Sequence, residues 1–107
     1  MKRFAANRVY KVSDQSLQRN QVVEVDECTH EVLSIFTLEE EIRHTEWLGG
    51  IIIVAPACPA RIDGEKFESF LTRLSAFSNS LPLHAYHITA FDVNSMEFTV
   101  GSRMVIL

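Results

Sequence analysis

Gly49-Gly50-Ile51-Ile52-Ile53-Val54-Ala55-Pro56 is the stretch on which the fold turns. Its five central residues are apolar on both parities, the mark of a strand buried on both faces. Gly49-Gly50 punctuates its start. Pro56 and Pro59 end it, because a ring nitrogen cannot donate to a strand ladder.

Downstream lies the clearest helix. Asp63 is a good N-cap, since its carboxylate can accept from the first free amides of a helix. Phe67, Phe70, Leu71, Leu74 and Phe77 then form one apolar stripe at helical spacing. Asn79-Ser80-Leu81-Pro82 stops it, because proline disfavours helical geometry in the residue before it. The pattern predicts one long helix at about 64–78, laid on a sheet as the anchor of the core.

Upstream, Phe4 to Tyr10 reads as a first strand, with Phe4, Ala6 and Tyr10 on one face. Ser13 to Ser16 is a polar connector. Gln21 to Glu27 is a second strand, with Val23 and Val25 inward and Glu24 and Asp26 outward. Glu27 to His30 is a polar turn, so the next strand, Glu31 to Leu38, pairs antiparallel with the second. It is apolar on both parities, which predicts a central position. Glu39 to Leu48 is ambiguous, with room for one helical turn. After the helix, Leu83 to Phe91 extends, Asp92 to Ser95 turns, and Met96 to Val100 alternates as a half-buried strand. Arg103 to Leu107 forms a last short strand. The class is mainly β (α+β): a small β-sandwich or sheet built from N- and C-terminal strands, with one long helix.

Composition sets the outer limits. The chain has 107 residues, which is a single domain spanning 1–107 and far short of a (β/α)₈ barrel. Ten basic residues against fourteen acidic ones give a net charge of −4. A nucleic-acid binder needs a basic footprint, so that class is disfavoured. No apolar run follows Met1-Lys2-Arg3, so no signal peptide is expected. The longest apolar stretch, Ile51 to Ala57, is too short to span a membrane. Cys28 and Cys58 are the only cysteines and fit buried free thiols in a reducing compartment. The expectation is a cytoplasmic protein without membrane attachment.

The stretch "MKRFAANRVYKVSDQSLQRNQVVEVDE" (residues 1–27) resembles the start of bacterial amidohydrolases of the metal-dependent superfamily. The likeness continues through "EVLSIF" (31–36) and "EWLGGIIIVAP" (46–56), and "FDVNSMEFTVGSRMVIL" (91–107) resembles the family's closing strands. In that family both ends of the chain build a small β-sandwich, the composite domain, around a metal-binding barrel. An apolar strand ending in proline leads into a His-x-His metal motif. Counted on from Pro56, the two ligand positions here are Ile62 and Gly64, neither of which can bind a metal. The barrel is replaced by Ala57 to Ala90. The resemblance therefore covers the scaffold that carries no chemistry, and it transfers no catalytic, cofactor-binding or metal-binding residue.

His84 and His87 stand three apart on a strand, where such side chains point oppositely. Cys28 and His30 could chelate weakly beside a turn, without further ligands at usual spacing. Cys58 sits on a rigid loop between prolines, and no partner histidine is placed for it. Glu39-Glu40-Glu41 reads as a solvated face, and Asp63 with Glu65 suits the positive end of the helix dipole. Gly49-Gly50 lacks the spacing and lysine of a phosphate loop. The phenylalanine stripe reads as core.

Three functions stay open. The first is a non-catalytic, barrel-less relative of amidohydrolases, acting as a structural or protein-interaction module. The second is a small-molecule-binding domain with a pocket between helix and sheet. The third is an enzyme hydrolysing C–N bonds. A homodimer is expected, because both faces of the central strands are apolar and Met104 to Leu107 adds an apolar end.

Overall fold

The computed structural model describes residues 1–38, 45–59, 62, 64–74 and 82–107. Among them are seven strands and one short helix. The strands are β1 (Lys2–Lys11), β2 (Ser16–Val25), β3 (Val32–Thr37), β4 (Thr45–Trp47), β5 (Ile51–Ala55), β6 (His84–Thr89) and β7 (Arg103–Ile106). The helix, α1, is Phe67–Leu74. The protein is mainly β, with all seven strands in one mixed sheet ordered β3-β2-β1-β5-β6-β7, and β4 also against β1. β4 and β5 run parallel to β1, and the other pairs are antiparallel.

β5 behaves as its composition demands. Every residue from Ile51 to Ala55 is fully buried. Ile52 and Val54 face one cluster with Phe4, Ala6, Val9, Val23, Val25 and Ala85. Ile51, Ile53 and Ala55 face another with Tyr10, Val12, Tyr86 and the helix. We term the first face inner and the helix-covered face outer.

The sheet curls toward its inner face until its ends touch. Glu31 bridges His84, and the Val32 N–H donates to the Leu83 carbonyl at 2.7 Å. His84 Nδ1 donates to the His30 carbonyl at 2.9 Å, and His30 Nδ1 to the Leu107 carbonyl at 2.7 Å. These bonds join β3, β6 and the end of β7 in a seam. β3 is thus not central. It stands at one end of the strand order, and Leu33 is 52% exposed. Its second apolar parity is explained by Phe36, which pairs with Val22 on the side opposite Ile35.

One correction concerns β1. Phe4 and Ala6 face inward, but so does Val9, while Tyr10 faces outward. The alternation slips between Ala6 and Val9, where three neighbouring strands deform at one level. Asn20, opposite on β2, has φ 51°, a left-handed conformation that asparagine tolerates. Gly49 and Gly50, between β4 and β5, have φ 69° and 59°, a left-handed backbone that glycine adopts without steric cost. From Ala5↔Trp47 to Arg8↔Ile51, that side carries one residue more than β1. The Asn7 side chain fastens this bulge by accepting from the Gly50 amide at 2.9 Å.

On the outer face, Phe67, Phe70 and Leu74 of α1 are buried and Leu71 packs beside them. Burying each is worth about 1.5–3 kcal/mol. Phe77, the residues 75–78 of the expected helix, the Asp63 cap and the stop at Asn79 to Leu81 lie outside the described residues, as do Glu39 to His44. The Phe67 amide, in the first turn, donates to the Glu97 carboxylate at 3.0 Å. A side chain thirty positions away therefore caps this end of the helix.

Met96 to Val100 is not a strand. The Asp92 carboxylate accepts from the Asn94 and Ser95 amides, tightening a turn that runs to Met96, whose φ is 54°. Only the isolated bridge Asp92↔Glu97 forms, and Val100 is 99% exposed. Phe98 instead enters the outer core.

Candidate functional site

The inner face is closed at the seam, and among the described residues a cavity lies toward its opposite end. Beyond the slip in β1, Val9 and Lys11 face Gln18 and Ser16 across the β1–β2 hairpin. β3 ends at Thr37, paired with Gln21, and the Leu38 amide donates to the Asn20 carbonyl at 2.8 Å, while β5 runs beside β1 along this end of the hairpin. Among the described residues a cavity of about 130 Å³ lies here, lined by Val9 and Ile35. Its polar lining is Lys11, Asp14, Ser16, Gln18 and Gln21.

Gln21 is the unusual member. It is only 6% exposed, on an inward position shared with Val23 and Val25. Its amide nitrogen donates to the Arg19 carbonyl at 3.1 Å and to Thr37 Oγ1 at 3.3 Å. Among the described residues the buried side-chain atom left without a hydrogen bond is Thr45 Oγ1, not one of Gln21. Ser102, the other buried polar residue, is satisfied: its hydroxyl accepts from the Thr99 amide and donates to the Ala90 carbonyl. At the same cavity, Lys11 Nζ lies 3.4 Å from Asp14 Oδ2.

The other charged groups brace the scaffold. On the outer surface of β1, β2 and β3, Glu24 accepts from the Ser34 hydroxyl and from Arg3 Nε at 2.8 Å. Those bonds hold its carboxyl below the usual range. Glu65 accepts two bonds from Arg73, at 2.8 and 3.0 Å, which lower its pKa and raise that of the guanidinium. The Asp26 carboxylate accepts from the Cys28 and Thr29 amides, fixing the turn expected at Glu27 to His30.

Half-buried His87 has Nε2 3.3 Å from the Gly49 carbonyl, and its burial lowers its pKa. His84 and His87 take opposite faces of β6. His30 is held to the Leu107 carbonyl beside Cys28, and His44 lies outside the described residues. Cys28 and Cys58 are both free and exposed rather than buried. Cys28 occupies the tip of the Asp26 turn and Cys58 the loop after Pro56, neither of which enters a core. Among the described residues no three His, Cys, Asp or Glu side chains gather into a metal-holding group. Ile62 is exposed and Gly64 has φ 79° with open space where a Cβ would stand. Both belong to the turn closed by the Glu65 amide on the Ile62 carbonyl.

The space between helix and sheet, where a pocket was expected, holds four stacked or edge-on rings. Phe67–Phe91 and Phe70–Phe98 centroids are 4.8 and 5.1 Å apart. The cavity beside the β1–β2 hairpin was missed. Its signal was present, since Gln21 shares the parity of Val23 and Val25.

No helix among the described residues is long and apolar enough to cross a membrane. No protein-family model matches the chain, and no curated protein matches it.

Proposed function

We propose that this protein is a non-catalytic structural or protein-interaction module of the cytoplasm, a barrel-less relative of the amidohydrolases that pairs with a second copy of itself. Supporting the scaffold relationship, both ends of the chain share one sheet: β1 lies beside β5, and β7 closes on β6.

The observation that carries the interaction reading is the edge of β7. It ends the strand order, and Val105 and Ile106 on it are 45% and 48% exposed. The apolar faces that first argued for a dimer are filled from within, by the inner and outer cores. The argument therefore rests on the edge. β7 pairs with β6 on one side only among the described residues, and an open strand edge with apolar side chains is a template for a second strand, with two-fold pairing its commonest closed solution.

Val105→Lys tests this, because lysine on an edge discourages pairing. The variant is expected to elute later than wild type in size exclusion, with its melting temperature within about 4 °C, since a surface change costs under about 0.5 kcal/mol. Identical elution of the two proteins would contradict the proposal.

A further inference from the structure

We infer that β7 receives the β7 strand of a second copy in one antiparallel register, with the two-fold axis passing through Val105. The inference rests on the pairing proposed above and specifies the atoms that make it.

The hydrogen-bond phase of β7 is fixed by its last bond to β6. The Leu107 amide donates to the Ala85 carbonyl at 2.9 Å, and the β6–β7 register sets these two residues directly opposite each other. In an antiparallel ladder, hydrogen-bonded pairs alternate with non-hydrogen-bonded ones. Val105 and Arg103 therefore aim their amides and carbonyls at His87 and Thr89. The Thr89 hydroxyl donates to the Arg103 carbonyl at 3.4 Å, in agreement with that phase. Met104 and Ile106 aim theirs away from β6, along the open edge.

One two-fold register uses both of these residues on both strands. Met104 then faces the second copy's Ile106, and the two exchange N–H and C=O. A ladder centred on Met104 would instead oppose Ile106 to Ser102, whose amide is already spent on the Thr99 carbonyl at 3.1 Å. A ladder centred on Ile106 would carry Met104 beyond the second copy's β7, which ends at Ile106.

The side chains fit the same register. Val105, in the row of Ile52 and His87, meets its own copy across the axis in a non-hydrogen-bonded pair, where side chains lie closest. Exposed Ile106, in the row of Ile53 and Tyr86 on the other face, lands beside the second copy's Met104. The charged residue of β7, Arg103, faces Leu107 rather than another arginine, so no like charges meet. Apolar pairs on both faces and the absence of opposed like charges select a second copy of this strand as the occupant.

Cross-linking tests the register, in chains carrying Cys28→Ser and Cys58→Ser because both native thiols are exposed. The Cβ atoms of a directly opposed pair approach to about 5 Å, so Val105→Cys bridges with little movement. Under diamide it should form a covalent dimer at least tenfold faster than Ile106→Cys or Leu33→Cys, whose own copies lie off the axis. Amide exchange in the wild-type protein gives a readout without substitution. Met104 and Ile106 should exchange at least tenfold more slowly at about 1 mM than at about 20 μM. A wild-type mass of 12.2 kDa at every concentration would remove the pairing itself. A dimer in which Val105→Cys cross-links no faster than Leu33→Cys overturns the register alone. So does a dimer whose Met104 and Ile106 amides exchange at a rate independent of concentration, which would leave this edge to a strand of another protein.

Discussion

On the outer face of the sheet, Phe67, Phe70, Phe91 and Phe98 pack ring against ring, with Phe70 fully buried. On the inner face, the corresponding closure is a line of hydrogen bonds, Val32 to Leu83, His84 to His30 and His30 to Leu107. Toward its other end, among the described residues, a cavity lies beside Val9 and Ile35. The two closures differ in kind. Aromatic burial contributes about 1.5–3 kcal/mol per ring plus about 0.5–1.5 for each ring pair. A neutral hydrogen bond contributes about 0.5–1.5 kcal/mol net. Per contact the ring cluster is therefore the stronger closure, set beside an aliphatic core that fills the inner face.

The sharpest way to break this contrast is Phe70→Ala. Removing a buried ring costs about 3–5 kcal/mol. For a domain of this size that lowers the melting temperature by at least about 12 °C. A loss of only a degree or two, read by calorimetry, would mean that the ring cluster does not hold the helix to the sheet.

A smaller effect is expected at the level where the sheet bends. Asn20→Val places a β-branched residue at φ 51° and should cost about 1–2 kcal/mol. Asn20→Gly, free at that angle, should be neutral to within about 0.5 kcal/mol. Equal losses in urea titrations of both would remove the strained-bend account of why β1 changes face.

The smallest effect is pH-dependent and sharpens the inner side. Burial lowers the pKa of His87 below its ordinary 6.5, so the unfolded chain binds a proton more readily than the folded one. The stability that follows is complete above about pH 6.5 and is lost as pH falls through the folded value. Glu24 and Glu65, also lowered, add a second loss below their ordinary 4.5. His87→Gln should flatten the first loss and leave the second. An unchanged profile between pH 6.5 and 4.5 would show that His87 does not titrate with folding.

Elements written in short, uniform runs were legible without coordinates. Ile51 to Ala55, the stripe of Phe67, Phe70 and Leu74, the two aspartate-closed turns and β7 all follow from local pattern. Features set by distant parts of the chain were not. Tyr10 reads as sharing the face of Phe4 and Ala6 and does not, because the slip beside Asn7 depends on Gly49 and Gly50 across the sheet. Glu97 reads as the outward residue of a strand until the helix start is seen above it. β3 reads as central because its apolar parities do not reveal that one meets a seam. The cavity was hidden for the same reason: Gln21 is legible as inward, but its neighbours Lys11, Asp14 and Ile35 are brought to it by three different segments.

The functional account stands most directly on mass in solution. Light scattering after size exclusion, at loading concentrations from about 1 to 100 μM, is the measurement. Pairing through β7 predicts a mass near twice 12.2 kDa at the upper concentrations, falling toward the single-chain value on dilution. A mass of 12.2 kDa across the whole range would contradict it.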